Sequence, residues 1–377
     1  MARDKFLIEK AKSFLLKNNE VLSSLVVEPL CDSNVTVQQL SDFIEACWTR
    51  DYGSEGRIIF SPELIEFNIP DIKKDSISIV GKIDGHLVGV FLFFPMFYRI
   101  GEDVISSGIV TGLSTHEELR GKRVSQFLVL CIEENLINHE IGFAKFWLDD
   151  RHNTGGSSYQ TYKKGKKRTE WNKTVSLYAK PFDVKKLTRA AKLSSVEKAG
   201  AKFMQWRFPS KMDLPKGYQI HGFRKGDTDH WLRFISENQP KGVLRRHFSA
   251  AELERKLSYS KGRTEPIAFR AEREGATHGV IYGFTVPFGD SESYAQIDGI
   301  IFNPRLSQSD KRKIVGSWER AIIDEYGCFS SAIPASATPE NLADFGYVKL
   351  MTQTLGANFY DPSIPQEALN SLLVELR

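Results

Sequence analysis

The sequence predicts an α/β fold made of two tandem units, because the same order of elements occurs in both halves. Three strand-like stretches, a polar turn with basic residues and an amphipathic helix follow one another twice. The last strand, turn and helix are "IVTGLSTHEELRGKRVSQFLVLCIEENL" in one half and "IDGIIFNPRLSQSDKRKIVGSWERAIID" in the other. Between the halves, "PSKMDLPKG" at 209–217 is rich in proline, glycine and lysine. We expect domains over 1–208 and 209–377 whose mixed sheets form one saddle flanked by helices.

Local signals define the elements of the first half. Ser61, Pro62 and Glu63 are typical of a helix start, with a capping hydroxyl, a proline and an acid in the first turn. Asp84-Gly85 between two apolar stretches predicts a β-hairpin. The predicted elements are a helix over 35–49, a helix that opens at Ser61 and ends before Pro70, strands over 76–83, 87–94 and 104–113, and a helix over 124–137.

The second half shows matching signals. Glu274-Gly275 separates two strand-like stretches, and Ser307 with Asp310 resembles a capping box at the start of a helix. The predicted elements are strands over 266–273, 280–287 and 293–302, and a helix that carries Ile314, Val315, Trp318, Ala321 and Ile322 on one face.

Composition and charge restrict the class of protein. The chain has 377 residues, of which 41% are hydrophobic and 26% charged, and its formal net charge is +4. That charge permits an anionic cofactor or substrate but is well below the basic excess typical of nucleic-acid binders. The longest apolar run, 87–98, is too short to span a membrane. We therefore expect a cytoplasmic protein without a membrane span.

The four cysteines lie far apart in the sequence, at Cys31, Cys47, Cys131 and Cys328. They form no Cys-x-x-Cys pair, and no histidine lies near them at the spacing of metal ligands. We expect free thiols in a reducing compartment, with neither a disulfide framework nor a metal site.

The turn that precedes the helix over 124–137 carries three cations and a glycine. The first N–H groups of a helix lack intrahelical partners, and the helix dipole makes that end positive, so phosphate binds there readily. The alternative is that the cations are only solvated, because the turn matches neither a Walker sequence nor a convincing G-x-G-x-x-G pattern. The residues expected to hold phosphate are Arg120, Gly121, Lys122, Arg123, Val124 and Ser125.

The strand just before this turn ends in Thr111-Gly112-Leu113. Its backbone amides can be presented to a developing oxyanion, which is the arrangement that direct acyl transfer requires.

A dense polar cluster follows a predicted strand that ends near Trp147, and loops at strand ends often carry function. Asp149 or Asp150 can accept the proton of an acceptor ammonium group, and His152 can relay it. A solvated loop is the alternative. Further along, "KKGKKR" at 163–168 can follow a nucleic-acid backbone, although such a run is more often an exposed loop.

Four stretches resemble one known family, in the same order along the chain. "GLSTHEELRGKRVSQFLV" is similar to the acyl-CoA pyrophosphate loop of the GCN5-related N-acetyltransferase superfamily, and closer still to that of the eukaryotic N-myristoyltransferases. "RDYGSEGRIIFSPELIEFNI", "WNKTVSLYAKP" and "NLADFGYVKLMTQTLGANFYDP" resemble further segments of the latter family. The residues of the first stretch that match in type and spacing are His116, Leu119, Arg120, Lys122 and Arg123.

The resemblance implies an N-acyltransferase of two fused units, in which the first binds acyl-CoA and the second forms much of the acceptor groove. The acyl group, fatty as in myristoyl-CoA or another, would pass to a primary amine, with a peptide N-terminal glycine as the expected acceptor and a small amine as the alternative. The resemblance places the oxyanion at the amides of Gly112 and Leu113, the acceptor loop at Asp51 and Tyr52, and the catalytic base at the α-carboxylate of Arg377.

Departures from the family leave two rival functions open. The N-terminal Phe-Trp-x-Thr-Gln-Pro pattern that contacts CoA in the family has no counterpart in 1–30. That difference and the basic run at 163–168 favour a ligase of the same superfamily that takes its acyl or aminoacyl group from a charged tRNA. The second rival is a non-catalytic scaffold that binds a peptide or a partner protein.

Overall fold

The structure is a computed structural model that describes residues 2–52, 60–148, 171–190, 193–210, 212–239, 244–288 and 292–365. Its helices are α1 Ala2–Lys17, α2 Glu20–Ser23, α3 Val37–Tyr52, α4 Pro62–Asn68, α5 Val124–Asn138, α6 Val184–Ala190, α7 Ser195–Arg207, α8 Thr228–Asn238, α9 Ala250–Ser258 and α10 Gln308–Tyr326. Its strands are β1 Val26–Pro29, β2 Ile79–Ile83, β3 His86–Ile100, β4 Asp103–Thr115, β5 Phe143–Leu148, β6 Trp171–Pro181, β7 Tyr218–Gly222, β8 Leu244–His247, β9 Pro266–Arg273, β10 Ala276–Phe288, β11 Glu292–Phe302, β12 Ser330–Pro334 and β13 Val348–Phe359.

These thirteen strands of the described chain form one sheet. Its order is β1-β2-β3-β4-β5-β13-β6-β12-β11-β10-β9-β7, and β8 pairs with the end of β3. Two neighbouring pairs are parallel, β4 with β5 and β11 with β12. Since parallel neighbours need a crossover connection, each pair is joined by a helix, α5 in the first half and α10 in the second.

The two halves of the chain contain the same elements in the same order. The first reads β1-α3-α4-β2-β3-β4-α5-β5-β6, and the second reads β7-α8-α9-β9-β10-β11-α10-β12-β13, with β8 added before α9. The final strands are exchanged, because β13 lies between β5 and β6, and β6 pairs with β12. Neither half of the sheet is therefore built by one half of the chain alone.

Helices cover both faces of the sheet, and successive strand residues point to opposite layers. In β3, Phe91 and Phe93 pack in a core with α5, whereas Val90, Leu92 and Phe94 pack in another with α3 and α4. In the second half, Ile281 packs in the core with α10, and Val280 and Tyr282 pack in the core with α8 and α9.

The local signals in the sequence are confirmed. Ser61 caps α4 by accepting a hydrogen bond from the Leu64 N–H at 3.3 Å. Ser307 accepts one from the Asp310 N–H at 3.1 Å at the start of α10. Positive φ at both central residues gives the two hairpins the twist of the primed turns, at Asp84 (50°) with Gly85 (78°) and at Glu274 (55°) with Gly275 (75°).

Some predicted boundaries were wrong. The strand expected from residue 76 begins at Ile79, because Asp75 accepts hydrogen bonds from the N–H groups of Ile77 and Ser78 at 3.0 and 2.9 Å and holds them in a turn. The strand expected over 104–113 extends to Thr115. The helix expected to end at 49 continues to Tyr52, since no glycine or proline occurs before Gly53.

Candidate active site

Two central strands, β4 and β5, separate in the middle of the sheet. They pair only from Ser107–Phe143 to Ile109–Lys145. Beyond that point β5 continues to Leu148 with β13 as its neighbour, whereas β4 continues to Thr115 against β3. The result is a fork between residues 110–115 and 146–148. Within the part of the chain that the structure describes, the backbone edge of β4 that pairs with β5 below the fork has no neighbouring strand there.

A β-bulge lies on the β4 side of the fork. Val90 pairs with Ser114 and Leu92 with Thr111, so Gly112 and Leu113 together face the single residue Phe91. Gly112 has a φ of +65°, and a Cβ there would lie 3.3 Å from Leu92 Cδ1. A bulge takes residues out of the regular ladder and redirects their backbone groups. The structure therefore brings the two residues predicted for the oxyanion to an irregular point at the fork.

The predicted phosphate turn follows directly after the bulge. Arg120, Gly121, Lys122 and Arg123 are exposed, and Gly121 has a φ of +73°. Arg123 is the N-cap of α5 with a φ of 61°, it makes no side-chain capping hydrogen bond, and the first turn contains no acid. The positive end of α5 is thus presented to solvent beside three cations, which is the geometry that anions bind.

Two hydrogen bonds and an ion pair hold the segment from the bulge to the turn. The Asn19 side chain donates to the Lys122 carbonyl at 2.8 Å, and its oxygen caps α2. Trp48 Nε1 donates to Ser114 Oγ at 3.1 Å, and Arg50 pairs with Glu117 at 3.7 Å. The N-terminal helices thereby fix the turn from two sides.

The cysteine nearest this segment is kept in its neutral form. Cys47 is buried, and its thiol donates to the Thr115 carbonyl at 3.5 Å. Burial raises the pKa of Cys47, and the nearby Arg50 and Arg120 only partly oppose that rise. Since the thiolate is the nucleophilic form, Cys47 is a poor nucleophile.

The second half has a similar fork, but the helix that follows it begins with an acid. β11 and β12 pair only at Ala295–Ser331 and Gln296–Ala332, with a register shift against β10 just beyond. At the start of α10, however, Ser307 caps the Asp310 N–H, and Asp310 places a carboxylate in the first turn. That carboxylate already occupies the positive end of α10, so of these two helices α5 has the terminus suited to phosphate.

A lysine lies at the apex of the fork, and the sequence-based prediction missed it. Lys145 belongs to the last residue pair between β4 and β5, is fully buried, donates to the Tyr98 hydroxyl and lies 3.5 Å from Met96 Sδ. Tyr98 is also fully buried. The only signal in the sequence was a single lysine inside the apolar stretch "FAKFWL".

The structure brings part of the predicted site together and leaves part of it untested. Gly112, Leu113 and 120–125 lie along one segment at the fork. Asp51 and Tyr52 form the last turn of α3, so the prediction that they lie in a loop was wrong. The predicted residues outside the described part of the chain are Asp149, Asp150, His152, the basic run at 163–168 and Arg377.

Metal ligands are not clustered in the described ranges. There, no group of three or more histidine, cysteine, aspartate or glutamate side chains could hold a metal ion. The site that the structure describes consists of backbone amides and cations.

No family model matches the chain, and no curated protein matches it in sequence. Among solved structures, Saccharomyces cerevisiae N-myristoyltransferase with bound myristoyl-CoA matches with a TM-score of 0.68 and 13% identity, over 90% of this chain and 83% of that one. A second yeast structure, with myristoyl-CoA and inhibitors, gives 0.64 and 13%, over 90% and 80%.

A GCN5-related N-acetyltransferase from Anabaena variabilis is also similar, with a TM-score of 0.51 and 10% identity over 89% of this chain and 73% of that one. The matches cover most of each chain, and the predicted mixed α/β class with one large sheet flanked by helices is confirmed. The chain therefore has a fold similar to those of yeast N-myristoyltransferase and of this GCN5-related N-acetyltransferase.

Proposed function

We propose that this protein transfers an acyl group from an acyl-CoA to a primary amine. The observation that carries the proposal is one continuous segment in which a fork between parallel strands, a bulge at Gly112 and Leu113, and an uncapped, cation-lined helix terminus follow one another. Acyl transfer from CoA needs space for the thioester carbonyl, hydrogen-bond donors for the oxyanion and a site for the CoA phosphates. The three features follow one another in that order. The fold similarity to yeast N-myristoyltransferase supports the same reading.

The proposed reaction is a direct attack. The acceptor nitrogen forms a bond to the thioester carbonyl carbon, the oxyanion is stabilised by the amides of Gly112 and Leu113, and collapse breaks the C–S bond to release CoA thiolate. The four cysteines, all within described residues, are free, and burial raises the pKa of Cys131 to about 11 and of Cys328 to about 12. An acyl-enzyme on these thiols is therefore disfavoured.

The proposal also covers the roles of the two halves and the identity of the substrates. We propose that 1–208 bind the acyl-CoA, that 209–377 form most of the acceptor groove, and that the acyl chain is fatty with a peptide N-terminal glycine as acceptor. The proton released by the attacking amine needs a base. The residues proposed for that step are Asp149 or Asp150 as the base and His152 as the relay.

Isothermal titration calorimetry with CoA and with acyl-CoAs of increasing chain length tests the proposal. We expect saturable heat and an affinity that passes through an optimum with chain length. Absence of heat with every thioester would contradict the proposal and favour a non-catalytic scaffold. Binding that requires charged tRNA and weakens steeply with salt would favour the tRNA-dependent ligase.

The turn before α5 is expected to contribute most of the affinity for the CoA phosphates. The double variant Arg120→Ala/Lys122→Ala is expected to bind acyl-CoA about 100-fold more weakly, because each charge-assisted contact to phosphate contributes about 1.5 kcal/mol at an exposed site. The measurement is the same calorimetric titration.

The matched control removes two cations next to the corresponding helix of the second half. The variant Arg305→Ala/Lys313→Ala removes one cation just before α10 and one near its start. Asp310 already places a carboxylate at that terminus. This variant is expected to bind acyl-CoA as the wild type does. Equal affinities of all three proteins would show that the phosphate site lies elsewhere.

A further inference from the structure

Helix α7 is well formed although it buries none of its residues. It begins with a complete capping box, in which Ser194 Oγ accepts from the Glu197 N–H at 3.3 Å and Glu197 Oε2 accepts from the Ser194 N–H at 2.7 Å. The Gln205 side chain fastens it to the Phe182 carbonyl at 2.6 Å. Most helices in proteins gain stability by burying an apolar face, whereas no residue of α7 is buried.

That outward side is apolar. Val196, Phe203 and Trp206 are 82%, 57% and 75% exposed, and Ala199 and Gly200 between them are also exposed. At about 100° per residue these five positions fall on one stripe of the helix. The rings of Phe203 and Trp206 lie 5.9 Å apart and form an aromatic pair in its C-terminal half. Exposed large apolar groups in one stripe indicate a surface that contacts another apolar phase.

The segment that contains this stripe is strongly basic. Residues 184–207 contain seven lysines and arginines and a single acid, a net charge of +6, so the rest of the chain carries a net charge of −2. On α7, Lys198 and Lys202 lie one turn apart along the edge of the stripe that carries Trp206. Lys198 and Lys202 thus place positive charge beside the aromatic pair, within the most basic part of the chain. The basic residues of the segment are Lys185, Lys186, Arg189, Lys192, Lys198, Lys202 and Arg207.

We propose that the outer face of α7, with Lys198, Lys202 and Arg207 of the same helix, docks on the surface of an anionic lipid membrane. A helix that lies in the membrane interface has tryptophan, phenylalanine and aliphatic residues on one side and lysine or arginine beside them, as α7 has. Aliphatic Val196 and Ala199 offer nothing for a base to stack on, so lipid fits the stripe better than nucleic acid. No described helix is long and apolar enough to cross a membrane, and the proposed contact is peripheral.

Vesicle co-sedimentation with the full chain tests this proposal. Membrane docking in this form does not depend on acyl transfer. We expect the protein to sediment with phosphatidylcholine vesicles that contain phosphatidylserine and to remain in the supernatant with phosphatidylcholine alone. Binding should also shift tryptophan emission to the blue, because Trp206 leaves water, and Trp206→Phe should lose most of that shift.

Two variants with a matched control locate the surface. Phe203→Ser/Trp206→Ser should abolish sedimentation, and Lys198→Glu/Lys202→Glu should lower the partition coefficient at least about 30-fold, because each cation near an anionic surface contributes several-fold. Lys216→Glu/Lys225→Glu makes the same change in net charge at exposed lysines outside the segment and should have little effect. Circular dichroism checks that every variant is folded.

Three results would overturn the proposal. The first is a wild-type protein that ignores phosphatidylserine vesicles. The second is vesicle binding that both α7 variants retain. The third is that the stripe serves another partner. The wild type would then form a lipid-free dimer in sedimentation velocity, or bind RNA but not vesicles, and the Phe203→Ser/Trp206→Ser variant would lose that interaction.

Discussion

Gly112→Val is expected to lower the rate of acyl transfer about 10²- to 10³-fold, which is the effect of losing one oxyanion donor in an acyl-transfer site. Gly112 has a φ of +65°, and a Cβ would lie 3.3 Å from Leu92 Cδ1 and 3.5 Å from Ile44 Cδ1. A β-branched residue neither adopts that φ readily nor fits between these side chains. The bulge should therefore rearrange, and the amide of residue 112 should turn away from the thioester.

The kinetics distinguish this effect from general damage. kcat should fall far more than acyl-CoA affinity, because residues 120–125 lie beyond the bulge and keep their contacts to the phosphates. The change also strains the backbone by about 1–3 kcal/mol, which unfolding in denaturant will register.

Gly275→Val is the matched control for this strain. Gly275 has a φ of +75° in the hairpin between β9 and β10, and nothing lies within 4 Å of the position its Cβ would take. This variant should lose similar stability while its transfer rate stays at the wild-type value. If Gly112→Val retained full activity at normal folded yield, the oxyanion assignment would be wrong.

Glu319→Leu is expected to lower the free energy of unfolding by about 3–5 kcal/mol, because it leaves a buried ammonium group without its carboxylate. Lys180 Nζ lies 2.6 Å from Glu319 Oε2, and their side chains are 4% and 0% exposed. Lys180 also donates to the Phe345 carbonyl at 2.9 Å. Burial raises the pKa of Glu319, and the charge of Lys180 opposes that rise.

This ion pair joins the two halves of the chain. Lys180 is on β6, which lies among strands of the second half, and Glu319 is on α10. Equilibrium unfolding in urea gives the change in free energy. The double variant Lys180→Met/Glu319→Leu should recover much of the loss, because replacing both charges removes the unpaired one.

An exposed ion pair made by another residue of α10 provides the control. Arg312 and Asp344 lie 3.6 Å apart with side chains 50% and 36% exposed, so Arg312→Met should cost no more than about 1 kcal/mol. A loss of that small size in Glu319→Leu as well would mean that the buried pair does not stabilise the exchanged strands.

Much of the local structure was predictable from short segments. The Ser61 cap, the turns at Asp84-Gly85 and Glu274-Gly275 and the Ser307 cap depend on residues that are within four positions of each other. The cationic turn before α5 was predictable for the same reason, since a glycine and three cations before an amphipathic helix are contiguous. The bulge itself was not, because it becomes visible only in the register between β4 and β3.

The sequence by itself determined the α/β class, the order of the central elements and the cationic turn at the start of α5, because hydrophobic periodicity, caps and turns act over a few residues. Only the tertiary structure decided which strands became neighbours. It exchanged β6 and β13 between the halves, opened the fork beyond Ile109 and buried Lys145 at its apex. These features depend on packing between segments far apart in the chain, and the pattern of a single segment does not specify its distant partner.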